Sequence, residues 1–193
     1  MKSYTKVLFG LFLIMVFTSC AGGPGPQPIP PDDPWQAAKD ECQTLVNSLT
    51  SSGGAVAAIG VAESKRRDIA ERKATLQARK ELAESFSTKV QNLAKLFTEE
   101  VGSGEDTEIN ELFSDAMKSV TDKQLTGSTK EKTMMVSENN NDGTKKFHCF
   151  VVVSIKANSV YASFDDELKN KDTKTYERFR ASQAYDELEA ELK

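Results

Sequence analysis

Apolar residues recur at helical spacing over much of the chain beyond residue 34. The first such stretch runs from Trp35 to Leu49, and Pro34 precedes it, where the first turn of a helix accepts proline. Two further helical patterns follow, one over residues 109–120 and one beyond residue 159. These patterns predict a domain rich in α-helix.

The longest predicted helix spans Glu63 to Glu100, a stretch without proline or glycine. Its predicted buried stripe repeats every seven positions and consists of Ile69, Leu76, Ala83, Val90 and Phe97. Heptad spacing also occurs in coiled coils, but Arg72 and Arg79 stand at seam positions, so a helix packed on a sheet is preferred. An adjoining face, where a strand is expected to approach closely, has Ala70, Ala74 and Ala78.

Three shorter stretches have the pattern of β-strands. Residues 55–62 are small and apolar, and residues 126–138 and 144–155 flank a turn-rich segment that ends in Asp142-Gly143. The last stretch is apolar on both faces and is predicted to be the middle strand. The element order predicts an α+β fold, with a small sheet of about three strands and the long amphipathic helix packed on one face. A helical C-terminal extension is predicted from about residue 159.

The N-terminus has the pattern of a secretory signal. Lys2 and Lys6 precede an apolar run over residues 7–17, which is shorter than the about 20 residues of a membrane-spanning helix. The run leads into Phe17-Thr18-Ser19-Cys20, which resembles a bacterial lipobox. The resemblance implies a lipoprotein signal peptide over residues 1–19. It also implies a mature chain that begins at Cys20, modified by diacylglycerol and by an N-acyl chain such as palmitate, and stably anchored by them.

All six prolines of the chain lie between Pro24 and Pro34. Together with the neighbouring glycines they predict an extended tether over residues 20–34, because such a segment cannot bury enough apolar surface to fold. A ligand for a proline-binding module is the less favoured alternative. The segment from Ala21 to Asp33 reaches about 40 Å in an extended polyproline conformation. Residues 35–193 are then predicted to form a single α+β domain.

The overall composition excludes several classes of protein. The 193 residues have a formal net charge of -4, with 28% charged and 38% hydrophobic residues. These values exclude a multi-span membrane protein and a strongly basic nucleic-acid binder. Three cysteines and a single histidine argue against a zinc finger, and we expect neither a metal nor another cofactor beyond the acyl chains.

The chain has two cysteines in addition to Cys20. Cys42 and Cys149 form an even pair in an oxidising compartment, where a disulfide between them would persist. Both also lie in apolar patterns, so two buried free thiols are the open alternative. His148 is adjacent to Cys149, but neighbours on a strand point to opposite faces. A structural histidine is therefore predicted rather than a catalytic pair.

The start of the long helix is basic, since residues 65–67 and 72–73 are all lysine or arginine. A face of this kind can contact anionic headgroups or glycan polymers. Acidic residues stand four positions before two of these cations, which favours ion pairs along the helix. The predicted pairs are Glu63 with Arg67 and Asp68 with Arg72. A solvated, self-paired face is therefore predicted.

The small apolar strand and the alanine-rich helix resemble the lipoprotein-20 family of small bacterial outer-membrane lipoproteins. The matching residues are Ala58-Ile59-Gly60-Val61-Ala62, Asp68-Ile69-Ala70 and Ala74-Thr75-Leu76-Gln77-Ala78-Arg79-Lys80-Glu81-Leu82-Ala83. With the hairpin, the resemblance covers residues 55–155, and the domain is also similar to the N-terminal domain of flagellar accessory proteins. The resemblance implies an outer-membrane location, no established enzymatic activity and no catalytic residue. The charged segment after Ser163 departs from the simplest family pattern.

These observations predict a non-enzymatic, lipid-anchored lipoprotein of the bacterial cell envelope with a binding or structural role. Its expected partners are the outer membrane, through the lipid anchor, and another envelope protein, and no nucleic acid is expected. The residue after Cys20 is Ala21 and not the aspartate that favours retention in the inner membrane, so the outer membrane is expected. The periplasmic face of that membrane is preferred to the cell surface. The alternative is an accessory subunit of a large envelope assembly, of flagellar or secretion type, that docks through its C-terminal helices.

Overall fold

The computed structural model describes residues 34–51, 54–102, 104, 106–140 and 143–192. Six α-helices and three β-strands lie within these residues, which confirms the predicted α+β class. In chain order they are α1 (Pro34–Ser51), β1 (Ala55–Ser64), α2 (Arg67–Val101), α3 (Asp106–Gln124), β2 (Thr129–Asn139), β3 (Lys145–Lys156), α4 (Ala157–Lys171), α5 (Thr173–Arg180) and α6 (Gln183–Leu192).

The three strands form one antiparallel sheet in the order β1-β3-β2. β3 is central, as its apolar pattern predicts, and its residues from His148 to Ser154 are buried. β2 begins later than predicted, because Leu125–Gly127 form a 3₁₀ turn before it. Gly143 has a φ of 78°, the left-handed conformation that the connection between β2 and β3 requires.

Helices cover both faces of the sheet. The core on one face consists of Ala38, Cys42 and Val46 of α1 with Phe150 and Val152 of β3. The core on the other face includes Ala70, Ala74, Ala78 and Leu82 of α2 with Cys149, Val151 and Val153 of β3. Because side chains alternate along a strand, β3 supplies the apolar floor of both cores.

The buried stripe of α2 differs from the prediction in the first half of the helix. The residues that face the sheet there are Ala70, Ala74, Ala78 and Leu82. Leu76 is 65% exposed, and Ile69 and Ala83 are only half-buried. The predicted stripe is correct in the second half, where Val90 and Phe97 are buried. The close approach of a strand to the three alanines is also confirmed.

Gly60 of β1 lies directly against α2. A Cβ atom at this position would overlap the carbonyl oxygen of Ala74 and the backbone nitrogen of Ala78, and would lie 2.9 Å from the Cβ of Ala78. Strand and helix therefore meet backbone to backbone, which requires glycine on the strand and small residues on the helix. This contact explains why the helix turns its alanine face, and not Leu76, towards the sheet.

The second half of α2 belongs to a larger core made mainly of helices. α3, α4, α5 and α6 pack around it, and Phe113 lies at the centre of its aromatic rings. The ring centroid of Phe113 is 4.9 Å from that of Phe179, 5.7 Å from that of Phe164 and 6.0 Å from that of Phe97. The predicted C-terminal helices are thus an integral part of the fold.

α2 connects the sheet and the helical core. Its 35 residues span about 52 Å, and it contributes buried side chains to both parts, so the described residues form a single unit. Among the described residues, no helix combines the length and the apolar composition that a bilayer crossing requires.

Candidate functional site

The predicted lipid site and the predicted tether lie outside the described residues, except for Pro34, which is the first residue of α1, so Cys20 stays a prediction. The structure does place the other two cysteines. Cys42 lies in the core between the sheet and α1, and Cys149 lies in the core between the sheet and α2. Both are buried free thiols, separated by the backbone of β3. Of the two alternatives for this pair, the structure has the free thiols and not the disulfide.

Burial makes both thiols weak acids. Desolvation raises the pKa of Cys42, and it raises the pKa of Cys149 to about 11. A thiol of this kind is protonated at neutral pH, whereas nucleophilic attack and metal binding need the thiolate. Cys42 and Cys149 therefore act as small apolar core residues.

His148 lies between two carboxylates on the face of the sheet that α1 covers. Its Nε2 forms a hydrogen bond with Oε2 of Glu138 on β2 at 3.0 Å, whereas its Nδ1 lies 3.0 Å from Oε1 of Glu63 on β1 without the geometry of a hydrogen bond. His148 and Cys149 belong to opposite faces, as their adjacent positions predict. Lys146 also binds Glu63, and their hydrogen bond is the main reason that the pKa of Glu63 is lowered. The imidazole thus joins all three strands.

The chain enters the domain at the end of the sheet where α2 starts. The ring centroid of Trp35, the second residue of α1, lies 6.1 Å from that of His148. His148 is paired across the sheet with Glu63, the residue before the last of β1. α2 begins at Arg67, directly after this strand end. The start of α1 and the start of α2 therefore lie at the same end of the sheet, on opposite faces.

The basic start of α2 is self-paired only in part. Asp68 binds Arg66 at 2.8 Å and Arg72 at 3.2 Å, which confirms the predicted Asp68–Arg72 pair. The hydrogen bond from Arg66 is the main reason that the pKa of Asp68 is lowered. The predicted pair of Glu63 with Arg67 is absent among the described residues, because Glu63 binds side chains of β3 instead.

An open groove of about 570 Å³ lies beside the first half of α2. Its walls include Arg72, Leu76 and Arg79 of α2 and Lys130 of β2. Lys130 binds Glu71 at 2.6 Å, and this hydrogen bond lowers the pKa of Glu71. Arg79 donates from Nε to Oγ of Ser128 at 3.1 Å and from a terminal nitrogen to the carbonyl oxygen of Thr126 at 3.4 Å. Both acceptors of Arg79 are neutral.

A half-buried carboxyl group lies between the last three helices. Oδ2 of Asp165 on α4 accepts a hydrogen bond from the hydroxyl group of Tyr176 on α5 at 3.1 Å, and Tyr185 of α6 lies beside Tyr176. Oδ1 of Asp165 is buried and has no hydrogen-bond partner among the described residues. Burial is the main reason that the pKa of Asp165 is raised. In the described part of the chain, no three His, Cys, Asp or Glu side chains are grouped as a metal site.

Leu76 is predicted to be buried and is exposed, and Asp165 has no counterpart among the predictions. The exposure of Leu76 has a signal in the sequence, because Arg72 and Arg79 flank it at helical spacing and mark that face as solvated. Asp165 has a weaker signal, since it stands within an apolar pattern that includes Phe164 and Leu168. Neither signal identifies the neighbouring elements.

Comparisons of the chain with protein-family models, with curated proteins and with solved structures gave no match. The assignment of a function therefore depends on the sequence motifs and on the contacts described above.

Proposed function

We propose that this protein is a lipid-anchored lipoprotein of the bacterial outer membrane whose α+β domain binds another envelope component. The observation that carries this proposal is the order of segments along the chain. A signal-type apolar run ends in the lipobox at Cys20, a proline-rich tether follows, and the folded domain begins at Pro34. Diacylglycerol and an N-acyl chain on Cys20 give stable anchoring without a membrane-spanning helix.

The environment of the reactive side chains supports binding rather than catalysis. Both ring nitrogens of His148 lie 3.0 Å from a carboxylate, and the thiol of Cys149 is buried, with a pKa raised to about 11. The two side chains belong to opposite faces of the sheet, so neither is placed to activate the other.

Metabolic labelling tests the lipid anchor. In a diderm bacterial host grown with radiolabelled palmitate, the wild-type chain is expected to incorporate label and to fractionate with the outer membrane. Cys20→Ser should abolish both, because the lipid acceptor is lost. The matched control is Cys42→Ala, which removes a thiol of the folded domain and should leave both unchanged. Labelling that persists in Cys20→Ser contradicts the proposal.

A second candidate function is an accessory subunit of a large envelope assembly. The observation that favours it is the charge of α6, which has four acidic residues and no basic residue. Asp186 and Glu187 are exposed, so they are accessible to a basic segment of a partner. Crosslinking in intact cells, followed by mass spectrometry, is expected to lose one defined partner in the variant Asp186→Lys, Glu187→Lys. An unchanged partner set contradicts this second function.

A further inference from the structure

The first turns of α2 have a large excess of positive charge. Residues 65–80 include seven lysines and arginines but only two acids, Asp68 and Glu71. The peptide dipoles of a helix place partial positive charge at its N-terminus, so basic side chains are unfavourable there. This effect is confined to the first turn, so it disfavours Arg66 and Arg67, and helix stability does not explain why basic residues stand there.

The ion pairs within the molecule leave much of this charge uncompensated. Asp68 is shared by two arginines, Glu71 is bound by Lys130 of β2, and Lys80 binds Glu84 at 3.4 Å. Lys65, Arg67 and Lys73 are exposed and form no ion pair with a described residue. These three cations are therefore available to an external partner.

An apolar side chain projects from the centre of the cationic face. Leu76 is 65% exposed, and the positions three and four residues before and after it are all basic. Those residues are Arg72, Lys73, Arg79 and Lys80. A protruding apolar group among long cationic side chains fits the interface of a bilayer, where the cations bind headgroup phosphates and the apolar group enters the acyl boundary.

The position of this face in the molecule favours a membrane over a soluble anionic partner. The chain enters the domain at Trp35, at the same end of the sheet as the start of α2. The opposite end is acidic, since Glu99 and Glu100 lie in the last turn of α2 and the acidic helix α6 begins beside Glu100. With the tether attached at this end, the basic residues can reach the headgroups while the acidic end stays in the aqueous phase.

We propose that the basic start of α2, from Lys65 to Lys80 and including the exposed Leu76, binds the anionic lipid surface of the membrane in which the protein is anchored. This inference rests on the proposed function for the presence of an anchor. Contact with lipid through α2 holds the domain in one orientation and leaves the helical core and α6 accessible to an envelope partner.

Vesicle co-sedimentation tests the proposal without the lipid anchor. The chain from Ala21 to Lys193 contains every described element. It is expected to bind vesicles of phosphatidylglycerol and phosphatidylcholine at about 0.05 M salt, and to be released at about 0.5 M salt, where charges are screened over a few ångströms. Vesicles of phosphatidylcholine alone should not bind it. Absence of binding to the anionic vesicles at low salt overturns the proposal.

A matched pair of variants identifies the surface that binds. The variant Lys65→Gln, Arg67→Gln, Lys73→Gln should lower the partition coefficient on the order of a hundredfold, since each cation near an anionic surface contributes about fivefold. The control, with the same loss of charge on α3 and α4, is Lys118→Gln, Lys169→Gln, Lys171→Gln. Equal effects of the two variants mean attraction by net charge alone and overturn the assignment to α2.

A fluorescent label supplies a second measurement that does not depend on charge. An environment-sensitive dye on Leu76→Cys is expected to shift its emission to shorter wavelength when anionic vesicles are added, whereas the same dye on Lys118→Cys should not respond. Equal responses at the two positions overturn the orientation. Because these experiments use a chain without Cys20, their failure is distinct from a failure of palmitate labelling.

Discussion

At the scale of the single residue, Gly60 sets the distance between the sheet and α2. The space that a methyl group would need is occupied by backbone atoms of Ala74 and Ala78, which cannot move without displacing the helix. The other face of α2 includes Leu76, whose side chain is too large for this backbone-to-backbone contact, and that face is exposed instead. One missing Cβ atom therefore determines which stripe of the helix is buried.

We predict that Gly60→Ala destabilises the domain severely. Forcing extra atoms into a packed contact costs about 1–3 kcal/mol, and the upper end or more is expected because the obstacle is backbone. The midpoint of urea unfolding measures the effect. Gly127→Ala is the control, since a Cβ there meets no atom within 4 Å, and its change should stay within about 0.5 kcal/mol. Similar midpoints for the two variants would contradict the close contact.

We predict that Asp165→Asn becomes more stable relative to the wild type as pH rises. Burial raises the pKa of Asp165, so the folded protein holds this proton more tightly than the unfolded chain. The stability from this group is present at low pH and is lost as pH rises through the folded-state pKa. Asparagine keeps an oxygen for the Tyr176 hydroxyl and cannot ionise.

Urea unfolding of this variant between about pH 4 and pH 8 shows the sign of the effect. The stability difference between Asp165→Asn and the wild type should widen with pH, while the exposed neighbour Asp166 provides the control substitution Asp166→Asn. A difference that stays constant or narrows as pH rises argues against a half-buried carboxyl group at Asp165.

We predict that the mature domain has two free thiols. Cys42 and Cys149 lie on opposite faces of β3, so a bond between them would have to cross the backbone of the strand. The chain from Ala21 to Lys193 should react with a thiol reagent slowly when folded and at both cysteines when unfolded. No reactive thiol in the unfolded, unreduced chain would establish the disulfide instead.

The partners of individual residues mark the limit of prediction from this sequence. His148 is predicted as a structural residue, but its contacts with Glu63 and Glu138 depend on strand register. Glu63 is far from His148 along the chain. Its spacing of four residues from Arg67 makes that arginine an equally good partner on sequence grounds alone. Local spacing identifies candidate pairs, and tertiary packing selects among them.

At the scale of the secondary-structure element, α2 has two apolar stripes, and only one is buried in its first half. The heptad of Ile69, Leu76 and Ala83 has the larger side chains, whereas the alanine stripe has the shape that β1 requires. The extents of helices and strands follow from periodicity and from glycine and proline positions. The choice of face does not, because it depends on the partner strand.

We predict that removal of residues 164–193 abolishes folding of the domain, and does not merely delete a docking segment from a domain that still folds. Phe164, Phe179 and Leu188 are fully buried, and Phe179 contacts the rings of Phe97 and Phe113 on α2 and α3. Their loss exposes half of the long helix to water. Circular dichroism should show loss of a cooperative thermal transition.

The control for this truncation keeps the helices and changes only their exposed surface. Glu187→Gln on α6 should leave the thermal transition within a few degrees of the wild type. A truncated chain that still unfolds cooperatively at a similar temperature would show that the C-terminal helices are separable from the domain.

At the scale of the whole molecule, positive and negative charge are separated along the axis of the longest helix. α2 connects a basic end, where the chain enters the domain, to an acidic end about 50 Å away, beside the start of α6. The protein as a whole has a net charge of only -4, so this polarity comes from separation of charge rather than from its amount. A membrane-bound molecule with this distribution is expected to hold the first half of α2 against the headgroups and to tilt the acidic end of the helix away from them.

We predict that energy transfer to labelled lipid headgroups distinguishes the two ends of α2. Trp35 is the single tryptophan and lies at the basic end, so its transfer to dansyl headgroups of anionic vesicles should be strong for the lipidated protein. In the variant Trp35→Phe, Glu99→Trp the donor lies on the last turns of the helix, about 48 Å from Arg67, and transfer should be weak. Equal transfer from both positions would mean that α2 lies flat on the membrane. High salt serves as the internal control, because it screens the contact of α2 with the headgroups and should reduce transfer from Trp35 while the lipid anchor still holds the protein on the vesicle.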